Sequence, residues 1–148
     1  MPGTSDPESL DRLFAQVCRL KHARVHTLYE ALGLYRGQPR VLHALWDQEG
    51  LTHTELSRQL SVQPATITKM IQRMERAGFV ERRHDPDDQR ISRVYLTAAG
   101  RAVRGDVQQV WHRLEEEAFA GFTGEERVLM RQFFFRIRDN LIQASVGE

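Results

Sequence analysis

Cysteine is almost missing from this chain. Cys18 is the only one in 148 residues, so no disulfide can close within the protein, and a reducing compartment suits it. Long apolar runs are missing as well, and no stretch nears the ~20 residues that a membrane helix requires. The opening residues, MPGTSDPESL, have neither a basic start nor an apolar signal core. A cytoplasmic protein with no membrane association is therefore expected. No charge sign dominates: the net value is +1 at pH 7. The familiar catalytic signatures are also absent, with no G-x-S-x-G, P-loop or H-E-x-x-H. HDPDDQ has three aspartates without the spacing of a calcium loop, and reads as a polar turn. Glu115, Glu116 and Glu117 would fall on different faces of a helix, as solvated residues do. These absences predict a protein that is not an enzyme, needs no cofactor and holds no metal.

What the chain does have is enough apolar material for a core. Hydrophobic residues are 41% and charged residues 28%, which suits one compact domain over residues 1–148. No repeat or low-complexity segment interrupts it. Residues 1–7 read as a loose start. Leu10, Leu13, Phe14, Val17, Leu28 and Leu32 then form a helical stripe that should stop near Gly33. A second helix follows, with Pro39 in its first turn and Gly50 beyond its end. LTHTELSRQL predicts a short third helix, in which Thr52 and Glu55 have capping-box spacing. QPATITKM opens a fourth, with Ile67, Ile71 and Met74 inward and Gly78 as its stop.

Residues 79–83 and 91–96 predict two strands joined by the polar turn. Thr97 can cap a long fifth helix carrying Val103, Val107, Val110, Trp111, Leu114 and Ala118. Thr123 and Glu126 repeat the capping-box spacing before a sixth, whose stripe is Leu129, Met130, Phe133, Phe134, Ile137 and Leu141. The fold class expected is mostly α (α+β).

Two short helices joined by a turn of a few residues form a helix-turn-helix, whose second helix lies in the DNA major groove. With its core positions removed, the fourth helix presents Gln63, Thr66, Thr68, Lys69, Gln72 and Arg73. These are hydroxyls, amides and cations, the groups that reach base edges and phosphates. From Gln63 to Arg83, Lys69, Arg73, Arg76, Arg82 and Arg83 oppose Glu75 and Glu81, so five minus two leaves a local +3. The hairpin adds Arg82, Arg83, Arg90 and Arg93 as a wing. Arg90 is placed to enter a minor groove, with Asp88 orienting its guanidinium. A solvated helix beside a surface hairpin is the plainer reading, but the ordered run of cap, turn, basic helix and arginine wing favours DNA. Phe133, Phe134, Phe135 and Trp111 exceed what so small an interior can take, and point to burial against a second copy.

The run LTHTELSRQLSVQPATITKMIQRMERAGFVERRHDPDDQRISRVYLTAAG resembles the winged helix-turn-helix core of the MarR transcription regulators. Asp88 and Arg90 as the D-x-R of the wing, RAGFVERR and the closing LTAAG carry the likeness most specifically. The flanking helices match in number, order and length. The resemblance implies a homodimer with dimerisation helices over 8–33 and 98–145 and a DNA-binding lobe over 38–96. It implies binding to a pseudo-palindromic operator, often as a repressor released by a small ligand. It also assigns Thr66, Thr68, Lys69, Gln72 and Arg73 to recognition and Arg90 to the wing. Gln63 departs from the family, which often has a better cap such as serine there. The rival reading is a small-ligand or metal/redox sensor that uses the winged fold for protein contacts.

Three sensing candidates lie outside the DNA lobe. Cys18, His22 and His26 are spaced by four, and a His pair at that spacing can chelate zinc or copper. The row drifts by roughly 80° over two steps, however, and lacks a fourth ligand. Peroxide-sensing relatives place a reactive cysteine near the start of the first helix with tyrosine partners. Cys18 sits further along with no tyrosine before Tyr29, so a buried, inert thiol is expected. Lys21 and Arg24 interrupt the first apolar stripe. Either their stems pack while their heads reach water, or they line a pocket for an anionic aromatic effector with Tyr35 or Trp46.

Overall fold

The computed structural model describes residues 9–147; the loose start read over residues 1–7 lies outside them. Six helices and three strands follow in the order α1 (Leu10–Glu30), α2 (Gln38–Asp47), β1 (Leu51–Thr52), α3 (His53–Leu60), α4 (Pro64–Arg76), β2 (Val80–His84), β3 (Ser92–Leu96), α5 (Ala98–Ala118) and α6 (Gly124–Val146). The fold is mostly α with a small antiparallel sheet, a winged helix-turn-helix. Two compact units meet at the 114/115 junction within α5.

Local chemistry sets most boundaries. The Ser9 hydroxyl accepts the Arg12 amide at 3.4 Å to start α1. Thr52 and Glu55 form a complete capping box on α3, with bonds of 3.1 and 2.8 Å. Thr123 and Glu126 do the same for α6. The Thr97 hydroxyl accepts the Gly100 amide at 3.1 Å as α5 begins.

The sheet order is β1-β3-β2. Val80 opposes Leu96 and Arg82 opposes Val94 across the wing, while Leu51 opposes Val94 on the other side of β3. The sequence reading expected only the two-stranded wing. β1 is two residues long and leaves no alternation to detect.

In the first unit the core gathers between α2, α3, α4 and the sheet. Val41, Leu42, Leu45, Leu56, Ile67, Ile71, Met74 and Val94 are fully buried. All three inward positions of α4 are thus occupied as its stripe implies. Gly100 sits where α5 crosses the base of the wing: a Cβ there would stand 2.1 Å from the Phe79 carbonyl oxygen. The Trp46 indole donates to the Gly100 carbonyl at 2.9 Å, joining α2 at the same point.

Two helices leave apolar surface open. Along α1, Leu13, Phe14, Val17 and Leu20 are exposed, and only Leu28 and Tyr29 of that helix are buried. α6, in the second unit, buries none of its residues. Phe133, Phe134 and Phe135 are consecutive and all exposed, so apolar groups stand on more than one side of the helix. Within that unit Phe119 packs edge-on against Phe122 and Phe134, with ring centres 5.5 and 6.4 Å away.

Candidate nucleic-acid interface

The turn between α3 and α4 is held from several sides. Ser61 takes the left-handed conformation at φ 52°. The Ser57 hydroxyl donates to the Val62 carbonyl at 2.6 Å, and the Arg40 guanidinium donates to the Leu60 carbonyl at 2.8 Å. Arg40 therefore ties α2 to the turn, a role with no sequence signature. Pro64 opens α4, and Gln63 makes no side-chain cap, in keeping with its departure from the family pattern.

Above the buried Ile67, Ile71 and Met74, α4 exposes Gln63, Thr66, Lys69, Gln72 and Arg73 on its far side. Thr68 departs from the sequence reading. It is half-buried, its hydroxyl donates to the Pro64 carbonyl at 3.1 Å, and its oxygen lies 3.3 Å from His53 Nδ1. It packs α4 onto α3 and does not stand free with the others.

The four wing arginines have different surroundings. Arg90 projects, with its side chain 91% exposed, and its Nε donates to Asp88 at 3.2 Å. Arg83 pairs with Glu81 and stacks over Tyr95, 4.4 Å from the ring centre. Arg93 turns inward: Nε donates to Asp85 at 2.6 Å and Nη1 to the Gly50 carbonyl at 2.9 Å. Asp85 also accepts the amides of Asp87 and Asp88, which folds the polar turn. The Arg93 bond and then the Asp87 amide hold the Asp85 carboxyl below its ordinary pKa. Arg93 is thus a brace of the hairpin, and the expectation of a DNA-facing side chain there is corrected.

Arg82, also read as a DNA contact, has an intramolecular partner. Nε and Nη2 donate to the two Glu75 oxygens at 3.0 and 3.1 Å, and the Arg82 backbone amide donates to the same carboxylate at 3.2 Å. This fork-on-fork contact lowers the Glu75 pKa and raises that of Arg82. His53 lies nearby. Burial, then the Arg82 cation, push its pKa down, and its Nε2 is buried without a partner.

The proposed effector residues do not assemble. Lys21 is exposed with Nζ 5.6 Å from the Trp111 ring centre, Arg24 is half-buried, and Trp46 is committed to Gly100. Tyr35 instead helps to line a cavity of about 200 Å³ with Tyr29, His26, His43, Arg40 and Trp111. Neither Lys21, Arg24 nor Trp46 reaches that cavity. Tyr29 is buried, which raises its pKa, with a Trp111 contact opposing the shift. The His22 and His26 Nε2 atoms are 3.0 Å apart, with rings edge-on. Cys18 is exposed, which corrects the expectation of a buried thiol. Among the described residues, no three His, Cys, Asp or Glu side chains gather as metal ligands, and no helix is long and apolar enough to cross a membrane.

An exposed polar and cationic α4 on an apolar bed, with a braced wing beside it, defines a DNA-binding protein of the winged helix-turn-helix class. Residues 34–92 match the model of the MarR family. The chain is 32% identical over 146 residues to the HTH-type transcriptional regulator TtmR of Methylorubrum extorquens (strain PA1), covering 94% of this chain and 72% of that protein. It is 33% identical over 104 residues to the transcriptional regulator HosA of Escherichia coli O111:H-, covering 70% and 77%. Among solved structures, wild-type apo MarR from E. coli aligns with TM-score 0.69 and 28% identity over 87% of this chain and 96% of that one. A mutant S. aureus MepR bound to an oligodeoxyribonucleotide gives TM-score 0.72 at 20% identity, covering 90% and 98%, a likeness of fold. The chain belongs to the MarR family: it is a transcriptional regulator, not an enzyme.

Proposed function

We infer that this regulator works in the cytoplasm as a homodimeric repressor on a pseudo-palindromic operator and responds to a small anionic aromatic molecule. The observation that carries the DNA reading is the far side of α4, where Gln63, Thr66, Lys69, Gln72 and Arg73 stand free over a fully buried underside. Gln72 and Arg73 have the donor geometry for base edges, and Lys69 suits a phosphate. Arg90 supplies a minor-groove contact from the wing, oriented by Asp88. MepR, a structural neighbour, was solved on an oligodeoxyribonucleotide.

The open apolar surface supports pairing. Leu13, Phe14 and Val17 of α1 and Phe133, Phe134 and Leu141 of α6 are exposed in the single chain. Exposed apolar residues repeated along each of these helices are characteristic of interfaces. Residues 8–33 and 98–145 would form the dimer body, and residues 38–96 the DNA lobe. A two-fold axis then presents two α4 helices one DNA turn apart, ~34 Å. For the effector, the cavity at Tyr29, Tyr35 and Trp111 offers aromatic walls, and Arg40 a cation.

The deciding experiment is selection of bound sequences from a random duplex pool. A two-fold symmetric consensus, with affinity falling steeply in salt, supports both operator and dimer. An asymmetric or empty outcome, or a solution mass of one chain, refutes them.

A further inference from the structure

Glu75 is out of place on a helix meant for a polyanion. It is the only acid between Gln63 and Arg76, and it stands in the last turn of α4, next to the exposed Arg76. Electrostatics alone would select against a carboxylate there. Its contacts supply a reason. β2 is an edge strand, since the order is β1-β3-β2. Phe79 and Asp85 bond across to the β3 side (Thr97 N–H to the Phe79 carbonyl, Asp85 N–H to the Ile91 carbonyl). Arg82, in the opposite phase of the alternation, therefore turns its amide away from β3, and an uncovered edge donor needs a partner. Glu75 accepts that amide at 3.2 Å and grips the Arg82 fork at 3.0 and 3.1 Å. One side chain of α4 thus fixes both the backbone and the side chain of the same wing residue. His53, beneath α4, leaves this carboxylate to Arg82: its Nδ1 turns to Thr68 and its Nε2 has no partner.

We propose that Glu75 is a positioning residue for operator binding: through Arg82 it sets the angle between the recognition helix and the wing, and so decides where Arg90 meets the DNA. The inference rests on the operator reading above. It makes Arg82 a lever arm and not a phosphate contact. Arg90 lies in the loop beyond the end of β2, where its guanidinium donates to Asp88, so its reach depends on how the hairpin is held.

The test turns on sign. Glu75→Gln removes a negative charge close to DNA and frees Arg82. If Arg82 were a phosphate ligand, affinity would rise and the salt slope would steepen by about one. Positioning requires the reverse. Anisotropy titrations with the duplex recovered by selection should show Glu75→Gln binding several-fold more weakly. Hydroxyl-radical footprints should lose minor-groove protection at the wing and keep major-groove protection under α4. In an Arg90→Ala background the same change should cost almost nothing, because the wing contact is already gone. The exchange Glu75→Arg with Arg82→Glu should restore part of the wing footprint. Unchanged or tighter binding by Glu75→Gln, losses that simply add to those of Arg90→Ala, or loss of the α4 footprint would each overturn the proposal. A wild-type chain with no salt-sensitive binding would refute the operator reading itself, and the proposal with it.

Discussion

Arg90 and Arg93 lie three residues apart on one hairpin, and replacing each by alanine should have opposite consequences. The Arg90 side chain is 91% exposed and that of Arg93 33%. An exposed ion pair such as Arg90–Asp88 contributes about 0–1 kcal/mol to folding, so Arg90→Ala should leave the thermal midpoint in place. Its loss should be felt on DNA, at about 1–3 kcal/mol if the guanidinium reads the groove, roughly 5- to 150-fold in Kd. Each phosphate neutralised contributes a salt slope of about −0.9. The defect of Arg90→Ala should therefore shrink roughly threefold as salt rises from about 50 to about 200 mM. Arg93→Ala removes the partner of Asp85 and the donor to the Gly50 carbonyl. That variant should melt earlier, with the wing amides exchanging faster, while the salt slope of whatever still binds is unchanged. Thermal scans beside anisotropy titrations at several salt concentrations would measure both. Early melting of Arg90→Ala with a flattened salt slope in Arg93→Ala, or no effect of either on DNA or fold, would refute these two roles.

Gly100→Ala places a methyl group 2.1 Å from a backbone carbonyl that is itself bonded to the Thr97 amide. It should cost about 1–3 kcal/mol or more, read as a lower denaturant midpoint. Thr52→Ala breaks the α3 capping box and should cost about 1 kcal/mol, measured in the same way. His53 is held neutral by burial, so its folded pKa lies below the ordinary 6.5. A depressed pKa means that the unfolded chain takes up the proton first, so this contribution is present above pH 6.5 and is lost as pH falls through the folded value. The stability of the wild type should decline on that acid side, and His53→Gln should flatten the decline. An identical pH profile for the two proteins would remove His53 from this role.

Local chemistry made much of the fold legible. Thr52 with Glu55, Thr123 with Glu126, Pro39, Pro64 and the turn glycines mark helix ends because each satisfies or strains the backbone within a few residues. The face of α4 was also legible, because Ile67, Ile71 and Met74 leave only one side free. What stayed hidden depends on partners far along the chain. Periodicity puts Thr68 outward, yet His53 comes up beside it. Composition counts Arg82 and Arg93 as wing cations, yet Glu75 and Asp85 occupy them. Lys21, Arg24, Tyr35 and Trp46 were grouped by chemical type. Whether they share a cavity depends on how α2 and α5 cross α1, and no local pattern encodes that crossing.

At Gly100 the start of the wing comes against α5 where no Cβ could stand, and α2 reaches the same point through the Trp46 side chain. Trp46 holds the Gly100 carbonyl from one side, and the Phe79 carbonyl abuts its Cα from the other. The Tyr29 cavity takes wall residues from the same two helices, His43 from α2 and Trp111 from α5. A molecule seated in that cavity would therefore touch both of the helices that meet at Gly100, directly below the hairpin that carries Arg90.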